Sequence, residues 1–149
     1  MSIFFILDFS EFILINIFNA TVFLLFFSRV KIAEFSRKIG IFNLALGIPI
    51  LIIAILNLIL FRDWWYWLFP FLLIGFILYC LVVDYILKIE FRNPRKLSIL
   101  VPFLLLFYIS IILMWGLTWS LGVLYGAITG ITYFLQLFGA YYAGKHGVG

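Results

Sequence analysis

Most side chains in this sequence are hydrocarbon, so the few that could do chemistry stand apart. Asp8, Glu11, Asn16, Asn19, Asp84 and Gln136 all sit within apolar stretches. An ionisable group inside lipid is costly, and one that is kept there is a functional candidate by default. At about 100° per residue, Asp8, Glu11 and Asn19 fall on one helical face with Asn16 at its edge. The two carboxylates would lie in the outer third of their segment, at a mouth that attracts cations or shuttles protons. That segment is longer than a bilayer needs, which favours a plainer expectation: a protruding helix with hydrated carboxylates. Asp84 precedes Lys88 by one turn, the favourable order for a helical ion pair. A pair that snorkels to the interface is therefore expected. The alternative makes Asp84 a proton or cation site at an inner vestibule. Helix rise separates Asp84 from Asp8 and Glu11 by roughly 20 Å. That is too far for a carboxylate dyad, whose loosest form needs about 10 Å.

Other chemistries lack their residues. His146 is the single histidine and stands in the C-terminal tail. This argues against bis-histidine haem, a multi-histidine zinc site and Ser-His hydrolysis. Cys80 is the single cysteine, so neither an internal disulfide nor a cysteine metal cluster can form. No glycine-rich phosphate loop appears. No catalytic set, metal site or cofactor is expected, which leaves an intramembrane enzyme the weakest functional reading.

Helices that cross a membrane must carry these side chains. Of 149 residues, 67% are hydrophobic and 11% charged, with a mean hydropathy of +1.28. Soluble domains use about a quarter charged residues, and this chain could not cover its apolar surface in water. Five apolar segments, Ile3–Ser28, Ile41–Phe61, Trp64–Ile89, Leu97–Trp115 and Ser120–Tyr142, each approach the roughly 20 residues that span hydrocarbon. Short connections make sequential helices antiparallel, and Pro49 should bend the second. The expected fold is all-α, a bundle of five transmembrane helices in one domain over residues 1–149.

Charge sets the expected orientation. Nine of the ten basic residues lie between the first and second segments, around the joint of the third and fourth, or after the fifth, and Arg62 alone falls on the other side. The positive-inside rule then places the N-terminus outside and the C-terminus in the cytoplasm, in the cell membrane. Because the bases sit in short loops, the net charge of +4 marks orientation and not a nucleic-acid partner. The loop over residues 29–38 would rest on anionic lipid headgroups. Trp64, Trp65, Tyr66 and Trp67, with Trp115 and Trp119, would form an outer aromatic belt. The amino end has acidic residues and no basic n-region, unlike a cleaved signal peptide.

The last segment has two unlike faces. Gly122, Gly126, Gly130, Gln136, Ala140 and Gly144 share one side with Thr129 and Tyr133, while Leu124, Ile131, Phe134, Leu135 and Phe138 take the other. Bulky groups would meet lipid, and the small residues would let another helix backbone approach. Gln136 lies on the small face, where it must meet a helix or a cavity. Thr129, Thr132, Asn43 and Asn57 are expected to hydrogen-bond between helices. These features lead to a non-enzymatic membrane protein that assembles with itself or a membrane-protein partner, or holds an apolar ligand. The alternative is a small transporter or channel with Asp8, Glu11, Asp84 and Gln136 along its path.

Overall fold

The computed structural model describes residues 2–92 and 94–147. Its helices are α1 (Ile3–Lys31), α2 (Ala33–Ile59), α3 (Trp64–Cys80), α4 (Leu97–Thr118) and α5 (Val123–Lys145). All five are long and apolar enough to cross a membrane. In hydrocarbon, backbone N–H and C=O groups have no water to bond, so continuous helices are the available solution for an open chain.

Helix limits depart from the apolar limits at two places. The second helix begins at Ala33, not Ile41, so most of the expected loop over 29–38 is helical. Ile32 alone joins α1 to α2, with φ −144° and ψ 86°. Hydropathy marks how much chain lies in lipid, whereas a helix continues while its hydrogen bonds and side chains allow. The third helix changes character at Leu81, where one π-helical turn runs to Ile86. Lys88 then adopts φ 49° and takes the chain out of the helix.

The helices close into a ring. α1 packs against α2 and α5, and the pairs α2–α3, α3–α4 and α4–α5 complete it, with a lesser contact between α1 and α4. α1, α3 and α5 therefore run parallel, with α2 and α4 opposed. Arg62 lies at the end where α1, α3 and α5 begin, and the other nine basic residues lie at the opposite end. We call these the Arg62 end and the Arg92 end.

Ile15, Phe18, Ile50, Leu73, Ile111 and Met114 are buried at the centre. Ile48, Ile52, Leu105, Ile109, Ile131 and Phe134 point outward and are exposed. In water such a surface would be strongly unfavourable, whereas acyl chains match it at little cost. Stability within the ring must then come from close packing and hydrogen bonds more than from the hydrophobic effect.

Candidate functional site

At the Arg62 end, the turn between α2 and α3 folds back over α1. Arg62 Nη1 and Nη2 donate to Asp8 Oδ1 and Oδ2 at 2.5 and 3.2 Å. The guanidinium also donates to Asn57 Oδ1 at 3.2 Å and stacks 3.5 Å from the Tyr66 ring centroid. Asn57 Nδ2 in turn donates to Glu11 Oε1 at 2.9 Å and to the Tyr66 carbonyl at 3.1 Å. The side chains of Arg62 and Asp8 are 10% and 13% exposed, and Glu11 is 4% exposed. The expectation of hydrated carboxylates is therefore overturned. A salt bridge from the α2–α3 turn and an asparagine relay from the end of α2 enclose both groups, which bilayer length alone could not reveal.

Midway along the bundle, α1 and α5 share a polar seam. Asn16 Nδ2 donates to Thr129 Oγ1 at 3.0 Å, and Thr132 Oγ1 donates to Asn16 Oδ1 at 2.8 Å. Asn19 Nδ2 donates to Thr132 Oγ1 at 3.2 Å. Gln136 follows one turn later and is buried, with neither amide atom bonded among the described residues; Asn19 Oδ1 is likewise without a partner. Between α1 and α2, Thr21 Oγ1 donates to Asn43 Oδ1.

The small face of α5 is occupied from within. Trp115 Nε1 donates to the Gly126 carbonyl at 2.7 Å, and its ring stacks on Tyr133 at 5.6 Å. A side chain at Gly126 would collide with the Trp119 ring, and one at Gly130 would press on Trp115 at 3.0 Å. Both glycines thus cradle indoles, Trp115 from the last turn of α4 and Trp119 just after it, where a helix backbone was expected. Trp115 is correspondingly folded over α5 and does not simply stand in a belt. Further along, Gly139 meets the backbone of Phe23 in α1, where an added Cβ would lie 3.3 Å from the Phe23 carbonyl oxygen. The expected stripe shifts accordingly. Gly139 and Ala143 are buried, Ala140 is half-buried, and Gly144 is exposed with open space where a side chain would stand. Gly122 precedes the helix with φ 128°, a conformation that suits glycine, and serves the chain reversal instead of the packed face.

At the Arg92 end, Asp84 pairs with Arg92 and not with Lys88. Arg92 Nη1 and Nη2 donate to Asp84 Oδ1 and Oδ2 at 2.8 and 2.9 Å. The π-helical turn and the break at Lys88 abolish the one-turn spacing on which the expected pair depended. Arg92 also covers the ring of Phe91 at 4.1 Å.

Beside this pair, a cavity of about 70 Å³ opens between α1, α2, α3 and α4. Phe18, Val22, Phe26, Phe76, Phe103 and Phe107 give it apolar walls, and Arg29, Asn43, Cys80, Asp84 and Tyr85 supply polar groups. It shares Leu25, Arg29, Asp84 and Tyr85 with a wider, more polar pocket, the mouth, that Ser36, Arg37 and Lys88 also border. No family model, curated protein or solved structure matches this chain. Its chemistry has to be read from its own residues.

The candidate residues separate into three places. Asp8 and Glu11 belong to the Arg62 cluster, Asn16, Asn19 and Gln136 to the α1–α5 seam, and Asp84 to the cavity mouth. Asp8, Glu11 and Gln136 line neither the cavity nor its mouth. Arg29 and Arg92 were missed in the sequence because each reads as one more basic residue of an orientation signal. The hint for Arg29 was its place within the last turn of the first apolar helix.

Proposed function

We propose that this is a non-enzymatic multi-pass protein of the cell membrane that holds an apolar ligand in the cavity between α1 and α4. The observation that carries the reading is the cavity itself: residues of four helices give it aromatic walls, and it shares Arg29, Asp84 and Tyr85 with a polar mouth. At about 70 Å³ it exceeds several-fold the roughly 10–15 Å³ that one water requires. The walls offer few polar atoms to hold a chain of waters, so an alkyl group is the better occupant. Assembly draws less support, since indoles and α1 already fill the glycine face of α5. In the same reading the Arg92 end faces the cytoplasm, as its nine basic residues favour.

Cys80 lines the cavity and is the single cysteine, which makes it a native reporter. In phosphatidylcholine nanodiscs, propanol, whose short alkyl group suits a cavity of about 70 Å³, should slow its reaction with a methanethiosulfonate reagent in a saturable manner. Val22→Phe should narrow the cavity and remove that protection. A cysteine at lipid-facing Leu105, in a Cys80→Ser background, should be indifferent to propanol. Equal protection at both positions, or none at Cys80, would leave assembly as the better reading. For orientation, single cysteines at positions 2 and 95 in the same background should react from opposite sides of sealed vesicles.

A further inference from the structure

We propose that the polar mouth binds a dianionic phosphate group, carried by a monoester-headed lipid or present as free phosphate. The site stands apart from the apolar cavity and does not depend on what fills it. Three cations from three elements border the mouth. Arg29 comes from the last turn of α1, Arg37 from near the start of α2, and Lys88 from just beyond the π-helical turn. The mouth has a volume of about 320 Å³, against about 30 Å³ for one water in the liquid, so a phosphate group enters with part of its hydration.

No internal anion neutralises these cations. Among the described residues Asp84 is the single acidic residue that borders the mouth, and both of its oxygens accept from Arg92 at 2.8 and 2.9 Å. The other ion pair among the described residues, Asp8 with Arg62, lies at the opposite end. Arg29, Arg37 and Lys88 therefore place uncompensated positive charge around one pocket. Like charges gathered this way repel, and a carboxylate would offset only part of the excess. A phosphate monoester carries about −1.5 to −2 charge at neutral pH and offers three acceptor oxygens, which matches the mouth better.

Arg29 gives the site its depth. Arg37 and Lys88 are exposed, whereas Arg29 is partly buried and also borders the apolar cavity. Its guanidinium carbon stands 5.5 Å from the centroid of the Phe26 ring. With less water around it, this fork holds an anion more strongly than an exposed ammonium does, and it can bind phosphate through two parallel hydrogen bonds. Tyr85 adds a neutral donor at the same rim. Its hydroxyl stands over Gly40 of α2, where any side chain would collide with it, so the glycine leaves the ring its place.

Thermal unfolding in dodecyl maltoside micelles at constant ionic strength tests the site. Dioleoyl phosphatidic acid, a monoester, should raise the unfolding midpoint in a saturable manner, and dioleoyl phosphatidylglycerol, a diester, should need about tenfold more. Dioleoyl phosphatidylcholine and sodium chloride should leave the midpoint where it was. Inorganic phosphate separates the two sources. If it saturates the same shift and phosphatidic acid then adds nothing, the ligand is the free ion; if phosphatidic acid alone acts, it is a lipid head. Arg29→Gln should raise the half-saturating concentration about tenfold, and Arg29→Lys should recover only part of that loss. Should Arg29→Gln not fold, the paired exposed changes Arg37→Gln and Lys88→Gln should weaken binding similarly. Lys145→Gln removes an exposed base at the same end that does not border the mouth, and should leave binding unchanged. Equal weakening by Lys145→Gln would overturn the proposal, since diffuse surface charge would then be responsible. So would phosphatidic acid and phosphatidylglycerol acting alike, or no stabilisation by either phosphate source. None of these outcomes alters the protection of Cys80 by propanol, so the cavity reading stands or falls separately.

Discussion

Arg92 holds Asp84 by a two-pronged ion pair that spans the break ending α3, with hydrogen bonds of 2.8 and 2.9 Å. The pair links the π-helical turn to the loop before α4 and fixes one wall of the cavity mouth. It also determines which cations at this end lack an internal partner.

Breaking this pair should loosen the Arg92 end. Each side chain is 20% exposed, so the loss should be smaller than for a fully buried pair. Asp84→Asn is expected to destabilise the protein by about 1–3 kcal/mol, the range for hydrogen bonds to charged groups. Arg92→Lys should cost nearly as much, because an ammonium cannot reproduce the fork. Denaturant titration in mixed micelles would measure both, and an unchanged midpoint for Asp84→Asn would contradict the account.

The glycines of α5 should differ sharply in tolerance. Gly126→Leu must displace the Trp119 ring, and Gly139→Leu must separate α5 from the α1 backbone. Overpacking of this kind typically costs about 1–3 kcal/mol. Gly144→Leu meets open space and should change stability by less than about 0.5 kcal/mol. Thermal melts would rank the three, and tryptophan emission should shift for Gly126→Leu alone among them.

Asn57 is the relay on which the Arg62 cluster depends. Asn57→Leu keeps the branching of the side chain and removes the donor to Glu11 and Tyr66 together with the acceptor for Arg62. Glu11 would then be left buried without its hydrogen bond, at a cost of about 1–3 kcal/mol. Asp63→Asn, exposed at the same turn, should be nearly silent. Equal effects at the two positions would mean that the relay contributes nothing.

The seam between α1 and α5 invites a double-mutant cycle. Asn16→Ala and Thr132→Val each remove one side of the 2.8 Å hydrogen bond. The coupling energy should be near 0.6 kcal/mol and no more than about 1.7 kcal/mol, as for polar contacts inside other helical membrane proteins. Strict additivity would show that the contact does not join the helices.

Much of the architecture could be read locally. The number of helices, their alternating direction and the gathering of nine bases at one end follow from segment length, short connections and charge placement. So does the lipid-facing side of α5, where Leu124, Ile131, Phe134 and Phe138 are exposed. Each of these depends on properties of a single stretch. Periodicity and hydropathy report such properties directly.

What a polar side chain meets depends on which distant residues the packed helices bring to it, and this only the tertiary structure decided. Asp84 and Lys88 had the right spacing for a pair, until a π-helical turn redirected the backbone toward Arg92. Asp8 and Glu11 looked hydrated because their partners, Arg62 and Asn57, come from the end of α2 and the turn after it, more than forty residues away. Gly126 and Gly130 announced close packing correctly, yet their neighbours are indoles from the preceding helix end. Arg29 gained its significance last. Sequence alone counts it as one of nine similar charges, and only the enclosing helices distinguish a guanidinium at an apolar cavity from one that rests in water.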